Sequence, residues 1–106
     1  MKKGVLVSPT IHEYSDPANL LELARCTEAA DWDGFFICDH LLLDPDGFLA
    51  LADPSVMLGA IAAVTDRVII GSMVTPVSRR RPWKLAKEFA SVDQLSKGRL
   101  RIGVGL

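Results

Sequence analysis

Cysteine is scarce in this sequence, and its two copies, Cys26 and Cys38, form no C-x-x-C pair. Both lie in apolar stretches, so they read as buried free thiols rather than as a disulfide or metal pair. An excess of one charge is also missing: 12 Lys and Arg stand against 13 Asp and Glu, for a formal net charge of -1. That balance supplies neither the basic field that holds nucleic acid nor a polybasic membrane anchor. Long apolar runs are absent as well. Gly59-Ala-Ile-Ala-Ala-Val64 is far too short to span a bilayer. Only Gly4-Val-Leu-Val7 separates Lys2 and Lys3 from Ser8-Pro9, too little for the apolar core of a signal peptide. The expectation is a cytoplasmic protein with no nucleic-acid or membrane partner. No Walker loop, G-x-S-x-G elbow or zinc-type cysteine spacing occurs.

What is present is the material of one small globular domain: 106 residues, 49% apolar and 24% charged. Strand and helix signals alternate along it. Gly4–Val7 reads as a strand closed by Ser8-Pro9. A helix follows from Pro17 to about Trp32, with Asp16 as its cap and proline in its first turn. Its buried stripe is Leu20, Leu23, Ala24, Thr27 and Ala30. Gly34–Cys38 is a second strand, apolar on both faces, ended by Asp39-His40. A loop spans Leu41 to Ala52. Asp53-Pro54 repeats the start signal for a helix to about Val64. The third strand is Arg67–Val74, closed by Thr75-Pro76. Arg79-Arg80-Arg81 leads to a third helix from Pro82 to about Leu95, with Leu85, Phe89 and Val92 inward and Ala86 and Ala90 beside them. Ser96-Lys97-Gly98 stops it. The fourth strand is Arg99–Gly105.

Strand starts near Val5, Phe35, Val68 and Leu100 recur at about 30 residues, one βα unit per step. Such units give a parallel sheet, and two closures satisfy the pattern: a (β/α)8 barrel or an open doubly wound sheet. The first loop, Ser8-Pro9-Thr10-Ile11, contains no glycine, which counts against a dinucleotide fold. A barrel needs roughly 250 residues, and a sheet stopping on a strand leaves an open edge. The expectation is an N-terminal fragment, or an assembly half completed by another chain or a second copy through that edge.

In parallel α/β folds ligands bind at the carboxyl ends of the strands. That rule selects Ser8, Thr10, Ile11 and His12 after the first strand and Asp39 and His40 after the second. It adds Ser72, Met73, Val74 and Thr75 at the third, and Gly103 and Gly105 on the fourth. A histidine there can exchange a proton near neutral pH, with the adjacent carboxylate fixing its tautomer. The plain alternative is a capping aspartate and a surface histidine. His12, Asp39 and His40 lack the tighter spacing of metal ligands on a barrel. Gly103-Val-Gly105 could begin a glycine-rich phosphate loop, but on the wrong strand. The arginine run reads as a solvated loop that an anionic cofactor tail could reach. Trp32 and Trp83 read as packing residues.

Three stretches carry a family resemblance. Ile70-Gly-Ser-Met-Val-Thr-Pro76, Arg80-Arg-Pro-Trp-Lys-Leu-Ala-Lys-Glu88 and Asp93-Gln-Leu-Ser-Lys-Gly-Arg-Leu-Arg-Ile-Gly-Val-Gly105 resemble the luciferase-like monooxygenase superfamily. The last, of the form D-x-L-S-x-G-R-x-x-x-G-V-G, is the most specific. Glu28-Ala-Ala-Asp-Trp-Asp-Gly-Phe-Phe-Ile-Cys-Asp-His40 is similar to the family segment ending in Asp-His. The resemblance implies that residues 1–106 are the N-terminal portion of a single (β/α)8 barrel domain, here an incomplete α/β unit of about four parallel strands and three helices. It implies FMN for oxygen insertion, or the deazaflavin coenzyme F420 for hydride transfer, acting on a small-molecule substrate. It places the ring of the cofactor against Asp39 and His40, with His40 in proton transfer. It places a non-prolyl cis bulge at Met73-Val74 behind the ring. The phosphate grip of the family comes from later strands. Two readings stand beside this oxidoreductase: a fragment or assembly half with no activity of its own, and a metal-dependent barrel hydrolase.

Overall fold

The computed structural model describes residues 1–41 and 52–106; most of the loop expected between Leu41 and Ala52 lies outside the described residues. Strand β1 (Gly4–Val7) leads through a 3₁₀ turn (His12–Ser15) to helix α1 (Pro17–Ala29) and strand β2 (Gly34–Ile37). Helix α2 (Pro54–Val64), strand β3 (Ile69–Pro76), a second 3₁₀ turn (Val77–Arg79), helix α3 (Pro82–Leu95) and strand β4 (Leu100–Gly105) complete the order. The helices begin where proline and aspartate place them. The Asp16 carboxylate accepts from the N–H of Ala18 at 2.8 Å, and that of Asp53 accepts from Val56 at 3.1 Å. Pro17, Pro54 and Pro82 each occupy a first turn.

The four strands form one parallel sheet in the order β1-β2-β3-β4. This order decides between the two closures. A doubly wound sheet reverses direction at a switch point and carries helices on both faces. Here the order never reverses, which is the winding of a barrel; the described sheet is not closed, and β1 and β4 are its edges. Val5, Phe35, Ile70 and Leu100 pair in one cross-strand row, and the next row is Leu6, Phe36, Gly71 and Arg101. The first row faces the helices. Phe35, Ile37, Val68 and Ile70 are fully buried there with Leu20, Leu58 and Ile61, in one core that runs the length of the sheet. Each such side chain contributes about 2 kcal/mol by leaving water. Among the described residues no helix is long and apolar enough to cross a membrane.

Four local expectations are corrected. Helix α1 stops at Ala29 rather than Trp32, because Asp31 turns to φ 60° and the N–H of Trp32 bonds back to Thr27 O at 3.2 Å. Ala30 is therefore exposed, as are Ala86 and Ala90. Cys26 is exposed and Cys38 half-buried, because Cys26 lies off the α1 stripe of Leu20, Ala24 and Thr27. Trp83 is 71% exposed at the start of α3 and does not pack.

One acidic side chain ties the base of the sheet together. Glu28, near the end of α1, accepts from the backbone N–H of Arg67 at 2.7 Å, Val68 at 2.8 Å and Asp66 at 3.0 Å. It thereby satisfies the connection from α2 into β3. Burial pushes its carboxyl upward, but the three N–H groups and the charge of Arg99 together outweigh that and hold it below its ordinary value. A folded-state value below the unfolded one means stability present above the unfolded value and lost as pH falls through the folded one. Urea midpoints taken between about pH 5 and about pH 3 should therefore fall more steeply for the parent chain than for Glu28→Gln. Parallel curves would remove Glu28 from the acid response.

Candidate active site at the carboxyl ends of the strands

The upper ends of β1, β2 and β3 bring together most of the expected rim. The N–H of Cys38 donates to Val7 O at 2.9 Å, so the β1-β2 ladder runs to within two residues of His40. Ser8 Oγ then lies 3.2 Å from His40 Nδ1 and 2.7 Å from Thr10 Oγ1. Asp39 is buried with its side chain only 5% exposed, and two arginines meet it. Arg80 Nη2 is 2.7 Å from Asp39 Oδ2. Arg79 Nη2 donates to the Asp39 carbonyl at 2.8 Å and stands 3.4 Å from Oδ1. Arg80 also reaches Asp53 at 3.7 Å. Burial would lower the Arg80 guanidinium, but the hydrogen bond and charge of Asp39, then Asp53 and Glu88, move it upward. The arginine run is thus more than a solvated loop: Arg79, exposed at its rim, and half-buried Arg80 clamp the turn that carries His40, while Arg81 is exposed. A cleft of about 280 Å³ opens beside His40, lined also by Asp53, Arg79 and Arg80.

At the end of β3 the Met73-Val74 peptide bond is cis. Ser72 pairs with Ile102 and Thr75 with Val104, so β3 carries one more residue than β4 across this stretch. Buried Ser72 and Thr75 close the base of the bulge through a 2.6 Å hydroxyl contact. Met73 and Val74 are pushed outward, 48% and 41% exposed. The bulge also explains the β4 glycines. A Cβ on Gly103 would lie 2.7 Å from Ser72 O, and one on Gly105 would run into the Val74 side chain. Gly103-Val-Gly105 makes room for a neighbouring strand, a reason independent of any phosphate.

His12 opens the first 3₁₀ turn, and its side chain lies outside what the structure describes. Among the described residues no three His, Cys, Asp or Glu side chains gather to hold a metal. Asp39, the central member of the expected set, has both carboxylate oxygens on arginine. Among the described residues the hydrolase reading therefore finds no donor set.

A family model described as luciferase-like monooxygenase matches residues 1–106. The chain belongs to the luciferase-like monooxygenase family. Within it, the chain is 40% identical over 97 residues to an F420-dependent glucose-6-phosphate dehydrogenase of Nakamurella multipartita, covering 88% of this chain. It spans 28% of the length of that relative. The solved structure of a monooxygenase, RslO1 from Streptomyces bottropensis, matches 99% of this chain and 33% of its own, with TM-score 0.82 and 28% identity. The coenzyme F420 dependent tetrahydromethanopterin reductase of Methanopyrus kandleri matches 98% of this chain and 26% of its own, with TM-score 0.79 and 25% identity. A monooxygenase and an F420 dependent reductase thus each contain a unit of this fold.

Sequence reasoning missed the pairing of Asp39 with Arg79 and Arg80 and that of Ser8 with His40. The βα period sets the strand ends side by side but does not fix which residues there meet, although each pair is separated by roughly one unit.

Proposed function

We propose that this chain is the N-terminal portion of a luciferase-like barrel domain whose oxidoreductase activity uses a flavin-type cofactor on a small-molecule substrate. The observation that carries the reading is the Met73-Val74 bulge, which presents exposed apolar surface just past Ser72, the register partner of Ile37, at the same end of the parallel sheet as Asp39 and His40. A flat, largely apolar ring system fits such a surface. Met73 and Val74 would back the ring, Asp39 would border it with its carboxylate held by the two arginines, and His40 would exchange the proton. The cofactor supplies the hydride or oxygen chemistry when bound. Of the two cofactors, the deazaflavin coenzyme F420 is favoured over FMN by the F420-dependent dehydrogenase at 40% identity. The exposed free thiol of Cys26 suits a reducing compartment, the cytoplasm.

Fluorescence titration of the chain with F420 and with FMN tests this. Saturable binding of F420 at roughly micromolar concentration, about tenfold tighter than FMN and lost in Val74→Asp, is the expected result. A Val74→Asp chain that binds as the parent does would move the ring away from the bulge. The second reading, an assembly half inactive by itself, is favoured by exposed Leu6, and by Ile102 and Val104 on the edge strand β4. Size exclusion on the same sample separates them: a dimer or larger species that binds neither cofactor supports the second.

A further inference from the structure

We infer that Ser8, with Thr10 behind it, is the positioning residue of His40: a two-hydroxyl bridge that holds Nδ1 in either protonation state and leaves Nε2 as the nitrogen exchanging protons at the rim. The inference rests on the proton-transfer role proposed for His40.

The bridge is held from below. Ser8 directly follows Val7, whose carbonyl accepts the last β1-β2 bond, and its own carbonyl accepts from Ile11 N–H at 3.1 Å. Pro9 beside it is fully buried. The backbone that carries the Ser8 hydroxyl is therefore anchored on both sides. On the other side, Arg79 and Arg80 grip the carbonyl and carboxylate of Asp39, the residue before His40. The ring is thus held between two anchored turns, and the 3.2 Å contact from Ser8 Oγ to Nδ1 joins them.

The chemistry of a hydroxyl pair makes this more than a spacer. Ser8 Oγ and Thr10 Oγ1 are 2.7 Å apart, and either can donate. The N–H of Thr10 also points to Ser8 Oγ, at 3.4 Å. When Nδ1 lacks a proton, Thr10 donates to Ser8 and Ser8 donates to Nδ1. When Nδ1 carries one, Nδ1 donates to Ser8 and Ser8 donates to Thr10. Each hydroxyl rotates, no heavy atom moves, and the ring keeps its bond through both states. A carboxylate in place of Ser8 could only accept and would favour one state. No partner contacts Nε2 among the described residues, and His40 is exposed there to the cleft lined by Asp53, Arg79 and Arg80.

Nitrogen-15 NMR of the histidine rings reads this without cofactor or turnover. In Ser8→Ala the His40 Nδ1 resonance is expected to move to the value of an unrestrained imidazole, and Ser8→Thr, which keeps a hydroxyl, is expected to restore it. An unchanged Nδ1 resonance in folded Ser8→Ala overturns the inference. If Ser8→Ala does not fold, Thr10→Val carries the test, with a smaller displacement expected and an unmoved resonance again decisive against it. The outcome is separable from the proposed function: turnover that survives His40→Gln would end the catalytic reading while leaving the hydrogen bond measurable.

Discussion

Arg99→Ala is expected to lower the unfolding free energy by roughly 4 kcal/mol, enough to leave a marginal chain partly unfolded. Arg99 sits at the opening of β4, opposite the rim, and makes five hydrogen bonds. Nε donates to Ser96 O at 2.8 Å. Nη1 donates to Thr65 Oγ1 and Val68 O, both at 2.9 Å. Nη2 donates to Ala62 O at 3.0 Å and Thr65 O at 2.8 Å. Two of these carbonyls belong to the C-terminal end of α2, where no intrahelical donor remains. The planar guanidinium thus joins the end of α2, the start of β3 and the end of α3 in one place. Alanine would leave several of these acceptors without partners, at about 1–3 kcal/mol for each one that water cannot reach. Arg99→Lys should recover less than half, because a single ammonium cannot match a fork of donors. Urea denaturation of both variants checks this; a loss under about 1 kcal/mol for alanine would show that water replaces the arginine.

The same corner explains the most specific stretch of the sequence. In Asp93-Gln-Leu-Ser-Lys-Gly-Arg99, the Asp93 carbonyl accepts from Gly98 N–H at 2.9 Å and from Ser96 Oγ at 3.1 Å. Ser96 is fully buried, Lys97 and Gly98 take φ of 56° and 83°, and Arg99 closes the turn. The first half of the motif that most clearly marks the family, Asp93 to Arg99, builds a structural joint at the end of the sheet opposite the rim.

Gly71→Ala is expected to have the second large effect, roughly 3 kcal/mol, through overpacking. Gly71 is buried in β3 and pairs with Arg101 of β4. A Cβ there would run into the Arg101 carbonyl oxygen and lie 3.2 Å from Phe36 Cε1. The first obstacle is backbone, so relief requires the β3-β4 ladder to move rather than a side chain to rotate. Ile70, Ser72 and the bulge beyond it depend on that ladder. Hydrogen exchange should show the β4 amides opening before those of β2, alongside a lower urea midpoint. Equal protection across both strands with an unchanged midpoint would mean that β4 shifts freely.

The order of strands and helices was legible because its signals are local. Asp-Pro before α1 and α2, apolar runs bounded by Ser-Pro or Thr-Pro, and a Ser-Lys-Gly stop each act within about four residues. The rim was legible in outline for a related reason: parallel winding places strand ends on one side. The resemblance added the Met73-Val74 bond, which is cis as that resemblance implies. Partnership was not legible. The arginine run reads as solvent-exposed until β2 and β3 are paired, because the carboxylate it answers lies 40 and 41 residues earlier. Gly103 and Gly105 look like a ligand loop until the Val74 bulge beside them is seen.

By itself, then, the sequence determined the alternation of elements, the parallel sheet and the family, since apolar periodicity, capping and motif spacing depend on near neighbours. The family resemblance implied barrel winding, and the strand order of the tertiary structure bears it out over a doubly wound sheet. The tertiary structure alone put Arg79 and Arg80 on Asp39, Ser8 on His40 and Arg99 across three elements. The reason is register: a pair separated by a whole βα unit meets only once adjacent strands lock in phase, and nothing within reach of either residue along the chain specifies the other.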